Sequence, residues 1–269
     1  MAGDLTMLEP LPPEPVLEIL DVHTRFGSTV VHEGVSLAVR RGEIFALAGA
    51  SGCGKSTLLR EIIHLLRPDS GSIRLLGQEV VSLAEEAALT LRRRCGVMFE
   101  RGALFGGLTV ADNVALPLRE QTRLGASLIE QLAALKLALA GLPPAAGALF
   151  PSQLSGGMRK RAALARAIAL DPEILFLDEP TAGLDPLSAA GFDDLVRHLK
   201  QLLGPTIVIV SHDLDLLWRV ADRVAFLAEG RVVGVGTMME LSRSEHPVLR
   251  EYFVGPRGRG AMEQSWKPR

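Results

Sequence analysis

Nine consecutive residues of this sequence are suited to binding the phosphate groups of a nucleotide. This segment, called the phosphate loop below, consists of Gly49, Ala50, Ser51, Gly52, Cys53, Gly54, Lys55, Ser56 and Thr57. Its glycines let backbone N–H groups surround phosphate oxygens, and the Lys55 ammonium reaches the β and γ oxygens. The Ser56 hydroxyl can ligate Mg²⁺ at the start of a helix whose dipole favours anions. The loop therefore predicts a nucleotide site with magnesium, and a Gly-rich turn without a ligand is the alternative.

Two adjacent carboxylates follow a short apolar run farther along the chain. Residues 174–177 read Ile-Leu-Phe-Leu, and Asp178 and Glu179 come next. A strand of this kind brings both acids to one edge of a sheet, where Asp178 binds the Mg²⁺ shell and Glu179 polarises a water molecule. A solvated Asp-Glu turn is the alternative interpretation. The pattern thus predicts one metal ligand and one catalytic acid.

A histidine follows another apolar run. Residues 207–210 are Ile-Val-Ile-Val, and His212 lies two residues later, between Ser211 and Asp213. A neutral imidazole at this point can hydrogen-bond to the γ-phosphate and hold the attacking water in line. Although a lone histidine after a strand is usually structural, the phosphate loop and the acid pair favour a catalytic role here.

The segments between these residues alternate between strand and helix patterns. The apolar run 44–48 suits a strand buried on both faces, and residues 56–66 show helical periodicity. Short β patterns cover 16–19 and 35–39, whereas 83–169 is mostly helical. We therefore predict an α/β fold, with a P-loop NTPase core, an inserted helical subdomain and an antiparallel β subdomain.

Charge and composition restrict the classes of partner and compartment. The 269 residues carry a formal net charge of -2, so no nucleic-acid partner is expected. Cys53 and Cys95 fit neither a disulfide framework nor a metal cluster, which indicates a reducing compartment. Residues 1–15 do not have the pattern of a secretion signal, and no run of about 18 apolar residues suggests a membrane span.

Two further segments, together with these motifs, resemble a known family. Residues 154–158 read Leu-Ser-Gly-Gly-Met and are called the signature segment below, and residues 182–185 read Ala-Gly-Leu-Asp. With the phosphate loop, the acid pair and the histidine in the same order, the chain resembles the ATPases of ABC transporters from about Val16 to Leu241.

The resemblance implies ATP as the nucleotide and a head-to-tail dimer with a second copy of the chain. In such a dimer Ser155, Gly156 and Gly157 of one subunit cap the ATP that Lys55 of the other subunit holds. A serine followed by glycines offers N–H groups and a helix N-terminus to a phosphate, which agrees with this role. Asp185 is also implied as a residue of the shared nucleotide site.

Two single positions extend the implied site. Phe26 resembles the family's aromatic residue that stacks on adenine, although an ordinary phenylalanine at a strand end is the alternative. At position 100 the family would place glutamine, which touches Mg²⁺ and the water, but this chain has Glu100. Glu100 still offers oxygen to the metal and the water, yet its charge lies close to the γ-phosphate. We expect slower but surviving turnover.

Three local segments resemble the MlaF-like subgroup, which serves MCE-type lipid transport. They are residues 101–118, Met158 and residues 248–256. This resemblance implies a membrane permease of the MlaE or YrbE type, an MCE-domain protein, a phospholipid cargo and a position on the cytoplasmic face of the inner membrane. The alternatives are an ATPase for a polar-solute importer or for an exporter, a non-transport cassette protein and a cassette that only binds nucleotide.

These patterns also divide the chain. We expect a flexible lead-in at residues 1–15 and an ATPase domain at 16–245, with the helical subdomain at about 83–169. Residues 246–269 are expected to form a C-terminal extension.

Overall fold

The computed structural model describes residues 15–254, and the structural statements below concern these residues. The strands are β1 (Pro15–Phe26), β2 (Thr29–Arg40), β3 (Ile44–Ala48), β4 (Ser70–Leu75), β5 (Gln78–Glu79), β6 (Cys95–Met98), β7 (Ile174–Asp178), β8 (Thr206–Val210), β9 (Arg223–Ala228) and β10 (Arg231–Gly236). The helices are α1 (Lys55–Ile62), α2 (Glu85–Arg93), α3 (Val110–Gln121), α4 (Ala126–Leu139), α5 (Gly156–Ala167), α6 (Pro186–Leu203), α7 (Leu214–Val220), α8 (Met238–Ser242) and α9 (Pro247–Val254).

The strands form two sheets. The core sheet has the order β10-β9-β3-β8-β7-β6, and its strands from β9 to β6 run parallel. The second sheet has the order β2-β1-β4-β5 and is antiparallel. The predicted α/β fold with an antiparallel β subdomain is confirmed.

The central strands of the core sheet, β3, β7 and β8, are almost wholly apolar because both of their faces are covered. In β7, Leu175 and Leu177 pack into one hydrophobic cluster, whereas Ile174 and Phe176 pack into the other. The first cluster lies against α5, α6 and α7, and the second lies against α1 and the antiparallel sheet. Alternate side chains of a strand point to opposite faces, so a continuous apolar run is needed where both faces are buried.

A third hydrophobic cluster belongs to the helical lobe, which we define as residues 110–169. It joins side chains of α3 and α4 to the outer face of α5, while Ala163 and Leu164 on the inner face of α5 belong to the main core. Because α5 contributes to both clusters, it connects the lobe rigidly to the core sheet.

Several boundaries differ from the sequence predictions. The strands β1 and β2 extend well beyond residues 16–19 and 35–39, because pairing along a long antiparallel ladder continues past the apolar positions. The first helix ends at Ile62 rather than at residue 66. His64, two residues later, adopts a left-handed conformation with a φ of 56°, which prevents the helix from continuing.

The interval 83–169 also contains a strand of the core sheet. Strand β6 pairs in parallel with β7, and its short run Cys-Gly-Val-Met carries little β pattern of its own. Burial in the sheet raises the pKa of the Cys95 thiol to about 12, so this thiol stays protonated and unreactive at neutral pH.

The last helix packs onto the core rather than extending away from it. Leu249 and Phe253 of α9 are buried in the first hydrophobic cluster. The ring centroids of Tyr252 and Phe226 are 4.5 Å apart, in an edge-to-face arrangement. Their spacing of three and four residues puts these side chains on one helix face. Within residues 15–254, no helix combines the length and the apolar character that a membrane crossing requires.

Candidate active site

Four parallel strands deliver the predicted chemistry-bearing residues to one edge of the core sheet. Strand β3 leads into the phosphate loop, β7 ends at Asp178 and is followed by Glu179, β8 leads to His212, and β6 leads to Glu100. The carboxyl ends of parallel strands meet at the same edge, which is where α/β proteins bind ligands.

The phosphate loop is held by contacts that require its glycines. Gly49 has a φ of 146°, and a Cβ atom there would lie 2.2 Å from the Leu227 carbonyl oxygen. Gly54 has a φ of 100°, and it precedes the first helical residue, Lys55. Only glycine adopts such conformations at no cost, so the loop backbone follows a path close to its neighbours.

The lysine of the loop is buried and turned toward its own backbone. The Lys55 ammonium donates hydrogen bonds to the carbonyl oxygens of Gly49 (2.9 Å) and Ala50 (2.8 Å), and it lies 3.8 Å from the Cys53 sulfur. A buried positive charge with only neutral acceptors around it is well suited to a phosphate anion. The neighbouring Ser51 and Gly52 are exposed, whereas Thr57 is partly buried in the first turn of α1.

Ser56 and Asp178 lie together between the loop and β7. The Ser56 hydroxyl donates a 3.1 Å hydrogen bond to the Asp178 carboxylate. Burial is the main cause that raises the pKa of Asp178, and the charges of Glu179 and Glu100 raise it further, while the Ser56 bond partly offsets them. These three carboxylates therefore create an excess of negative charge beside a hydroxyl, an environment that favours a cation.

Glu179 is held at both carboxylate oxygens by the segment after β8. Nδ1 of His212 lies 2.7 Å from one oxygen, and the Ser211 hydroxyl donates a 3.0 Å hydrogen bond to the other. The backbone of Glu179 is left-handed, with a φ of 44°, a strained conformation for a residue with a side chain. Strain of this kind persists only where neighbouring contacts fix it, and it is concentrated at functional sites.

His212 therefore contacts the acid as well as facing solvent. A neutral imidazole carries a single N–H group. If that group is on Nδ1 and donates to Glu179, Nε2 is left as an acceptor and does not donate to a phosphate. The role predicted from the sequence, a neutral His212 donating to the γ-phosphate, thus requires a protonation or a rotamer different from the one that this contact favours.

A lysine that the sequence analysis did not single out joins two parts of the site. Lys160 of α5 is buried, and its ammonium donates to the backbone carbonyls of Glu100 and Glu179, both at 2.7 Å. Burial lowers the pKa of Lys160, and the charges of Glu100, Glu179 and Asp178 oppose this shift. Lys160 lies five residues after Ser155 on the buried face of α5, so helical periodicity was the only available signal.

The signature segment lies beside residues 182–185. Ser155 caps α5 by accepting a hydrogen bond from the Met158 N–H at 3.2 Å. Cβ atoms built on Gly156 and Gly157 would have as their nearest neighbours Leu184 and Ser188, at 3.9 and 3.8 Å.

Asp185 caps α6 by accepting from the N–H groups of Leu187 and Ser188. A hydrogen bond with the Ser188 side chain is the main cause that lowers the pKa of the Asp185 carboxyl group, and the backbone N–H bonds lower it further. Asp185 thus has a structural role in addition to the predicted one. Phe26 stands at the end of β1 with 52% of its surface exposed, so its ring is available for stacking.

The magnesium prediction depends on few protein ligands. Within residues 15–254, no group of three or more His, Cys, Asp or Glu side chains is arranged to hold a metal ion. This fits Mg²⁺ in nucleotide sites, where one or two carboxylates, waters and phosphates complete the coordination.

Comparisons with known proteins agree with this geometry. The sequence model of the family described as ABC transporter matches residues 32–182. The intermembrane phospholipid transport system ATP-binding protein MlaF of Haemophilus influenzae is 41% identical over 240 residues, 89% of this chain and 90% of that protein. The probable ribonucleotide transport ATP-binding protein mkl of Mycobacterium bovis is 39% identical over 241 residues, 90% of this chain and 67% of that protein.

A solved structure shares the fold as well as part of the sequence. It is the dimeric post-hydrolysis state of the ATP-binding cassette MJ0796 bound to ADP and Pi, with a TM-score of 0.76 and 29% identity over 82% of this chain and 98% of that chain. The family match covers more than half of the sequence and includes the phosphate loop, the signature segment and the acid pair. The chain therefore belongs to the ABC transporter family.

Proposed function

We propose that this chain is the ATP-hydrolysing subunit of a membrane system that transports phospholipid. The observation that carries the proposal is the meeting of the phosphate loop, the acid pair and His212 at one sheet edge. The named cargo of the MlaF relative, which aligns with 89% of this chain, supports phospholipid as the substrate of the system.

The residues of the loop fit ATP and magnesium. The buried Lys55 ammonium can exchange its two carbonyl acceptors for phosphate oxygens, which bind it more strongly because they are charged. Ser56 and Asp178 are the oxygen ligands proposed for Mg²⁺, with Glu100 nearby. Bound there, the metal would neutralise charge on the β- and γ-phosphates.

Glu179 is proposed to orient and deprotonate the attacking water. His212 and Ser211 each hold one of its two oxygens, so the orientation of the carboxylate is fixed in the absence of substrate. His212 holds this base in place, and because 47% of its side chain stays exposed it is also proposed to contact the γ-phosphate. Lys160 donates to the backbone carbonyls of Glu100 and Glu179, so it holds together the segments that follow β6 and β7.

The second half of each ATP site is proposed to come from another copy of the chain. The N-terminus of α5, with Ser155 and Gly156 exposed, presents N–H groups and a positive dipole end outward. Gly157 and Asp185 lie on the same surface, next to α6. The dimeric MJ0796 structure supports this assembly. Phe26 is proposed to stack on the adenine.

The surface near Glu100 is proposed to bind the membrane permease. A cavity of about 210 Å³, with an almost wholly apolar lining, lies between the end of α1, α2 and β6. Phe99 lines it, and Leu65 at its edge is 56% exposed. An apolar cavity next to residue 100 would let a permease segment sense the state of the nucleotide site.

The partners that we propose are a permease of the MlaE or YrbE type and, through it, an MCE-domain protein. Binding to the permease would place the chain on the cytoplasmic face of the inner membrane. Ribonucleotide transport, named for the mkl relative, is the competing cargo because that protein is nearly as similar as MlaF.

The test is to tag the chain at its amino terminus, extract membranes from its native cells in mild detergent, and identify attached proteins and lipids by mass spectrometry. We expect a YrbE-type permease, an MCE protein and phospholipid. An unrelated permease would overturn the cargo, and a protein with no membrane partner would overturn the transport proposal.

A pair of variants makes this test specific to the surface. Leu65→Asp puts a charge at the edge of the cavity and is expected to abolish recovery of the permease. Leu202→Asp changes a leucine that is 54% exposed on α6, outside the cavity lining, and is expected to leave recovery intact. Equal losses in both variants would argue against the cavity as the binding surface.

A further inference from the structure

A buried cluster of polar side chains lies directly behind the phosphate loop. It consists of Thr24 on β1, His32 on β2 and Glu61 on α1, and each side chain belongs to a residue that is at most 2% exposed. The Thr24 hydroxyl donates a 2.6 Å hydrogen bond to one carboxylate oxygen of Glu61. None of the three residues has a part in the proposed hydrolysis.

The histidine of this cluster contacts the loop backbone. Nε2 of His32 lies 3.1 Å from the carbonyl oxygen of Gly54. The same oxygen accepts the N–H of Leu58 in the first turn of α1, at 2.9 Å. A Cβ atom on Gly54 would lie 2.7 Å from Nε2, so the ring and the loop leave no room for a larger residue.

These contacts determine where the protons of the cluster lie. A carbonyl oxygen only accepts hydrogen bonds, so Nε2 of His32 carries a proton. Nδ1 then faces the second Glu61 oxygen at 3.2 Å without hydrogen-bond alignment, and neither atom has another hydrogen-bond partner. Two lone pairs at this distance would repel, so one further proton belongs between Nδ1 and the carboxylate. Glu61 thereby keeps the ring in the form that donates to Gly54.

Stability alone does not account for such a cluster. Its three residues lie on β1, β2 and α1, whose buried apolar side chains form the second hydrophobic cluster, and apolar side chains of similar volume would fill the space without the cost of removing charge from water. The polar groups instead provide a directed contact. In a planar trans peptide the C=O and N–H groups point in opposite directions. Fixing the Gly54 carbonyl therefore also fixes the N–H of Lys55, on the side where phosphate would bind.

We propose that His32, held by Glu61 and Thr24, is a positioning residue that keeps the phosphate loop in its nucleotide-binding conformation. This inference rests on the proposed function only in assuming that the loop binds ATP. It assigns part of the nucleotide affinity to residues that never touch the nucleotide.

The first part of the test separates positioning from folding. A double variant, His32→Leu with Glu61→Leu, avoids leaving a lone buried charge, and because only the Thr24 hydroxyl loses its acceptor, the Tm is expected to fall by no more than a few degrees. Its Kd for ATP, measured by titration with a fluorescent analogue, is expected to rise about tenfold, which corresponds to about 1.4 kcal/mol. A Kd equal to that of the unchanged protein would overturn the inference.

The second part tests the role of the proton. Glu61→Gln keeps an acceptor for Thr24 and supplies an N–H donor to Nδ1, so the Kd is expected to stay within about twofold. Glu61→Leu alone removes that partner and is expected to weaken binding. A Glu61→Gln variant as weak as the double variant, at unchanged Tm, would contradict the assignment of Glu61.

A matched control comes from the helical lobe. Lys136 is buried to a similar extent and pairs with Asp171. Lys136→Met is expected to lower the Tm without changing the Kd for ATP, and a comparable rise in Kd would assign the double variant's effect to general destabilisation. The unchanged protein is titrated first, because a failure to bind ATP there would overturn the proposed function and not this inference alone.

Discussion

The phosphate loop and the signature segment differ in how far one chain completes their contacts. The contacts of the loop lie within one subunit, since the Lys55 ammonium donates to loop carbonyls and the Gly54 carbonyl accepts from His32. In the signature segment, Ser155 caps its own helix, and of the two glycines that follow, Gly156 is exposed and Gly157 is partly buried. One region is thus preorganised within a subunit, whereas the other leaves polar groups for the second subunit proposed above.

The largest expected effect belongs to the acid that follows β7. Glu179→Gln should reduce ATP hydrolysis by roughly 10²- to 10⁴-fold, because an amide cannot accept the proton of water. ATP binding should persist, and the dimer should accumulate, as measured by phosphate release and size-exclusion chromatography with ATP. Glu173→Gln, at the other end of β7, is the control. Normal phosphate release in Glu179→Gln would remove the general-base role.

Removing the lysine of the phosphate loop should weaken nucleotide binding by a single subunit. Lys55→Ala should weaken ATP binding roughly 100-fold, since loss of one member of a buried charged pair costs about 3 kcal/mol. Equilibrium titration of the isolated protein measures this. Lys200→Ala, which removes an ammonium that donates to the Pro205 carbonyl just after α6, should bind ATP normally. Unchanged affinity in Lys55→Ala would count against the loop assignment.

A change in the signature segment should have the opposite pattern. Gly157→Asp places a carboxylate at the start of α5, and the structure has room for it because the nearest atom to a Cβ is 3.8 Å away. One subunit should bind ATP as before, but dimer closure should weaken by roughly 10- to 100-fold through repulsion of phosphate. Gly157→Ala is the uncharged control. If ATP affinity of the monomer fell equally, the two regions would not be separable.

A smaller effect is expected at Glu100, whose backbone carbonyl accepts from Lys160 of α5 and whose charge acts on Asp178 beside the loop. Glu100→Gln should raise turnover by roughly three- to tenfold by removing charge near the γ-phosphate. It should also raise the magnesium concentration needed for half-maximal activity, because a neutral amide binds the cation less tightly. Both are read from ATPase assays over a magnesium series, with Glu120→Gln of the helical lobe as the control. An unchanged rate and magnesium dependence would refute the expectation.

The smallest expected effect concerns the thermal stability that a buried carboxyl group of α6 costs the protein. Burial raises the pKa of Asp193 on α6 to about 7, although Arg219 opposes the shift. An acid whose pKa is higher in the folded state lowers stability as pH rises from about 4 to about 7. Asp193→Asn should therefore raise the Tm at pH 8 by a few degrees and change it little at pH 4, where the carboxyl group is protonated in the folded state and partly protonated in the unfolded state. An equal gain at both pH values would contradict this cause.

The parts of the site that lie in one segment could be predicted from the sequence. The phosphate loop and the runs 174–177 and 206–210 are encoded locally, by glycine spacing and by continuous apolar character. Strand β6 could not be recognised because its identity depends on pairing with β7, about 80 residues away in the chain.

Contacts between distant segments could not be predicted from the sequence either. Lys160 gains its role from two carbonyls, one of which is 60 residues away. The bond between His32 and Gly54 joins residues 22 apart on different layers. Neither lysine nor histidine has a pattern that reveals such a partner, since a backbone carbonyl is present at every residue.

The hydroxyl of Tyr252 donates a 2.9 Å hydrogen bond to the backbone carbonyl of His212. The final described turn of the chain is therefore one side chain away from the histidine that orients Glu179. A label attached to α9 would disturb the segment that holds Glu179, and it would alter measured rates without touching the nucleotide. Kinetic comparisons among variants of this ATPase should accordingly carry their labels at the opposite terminus.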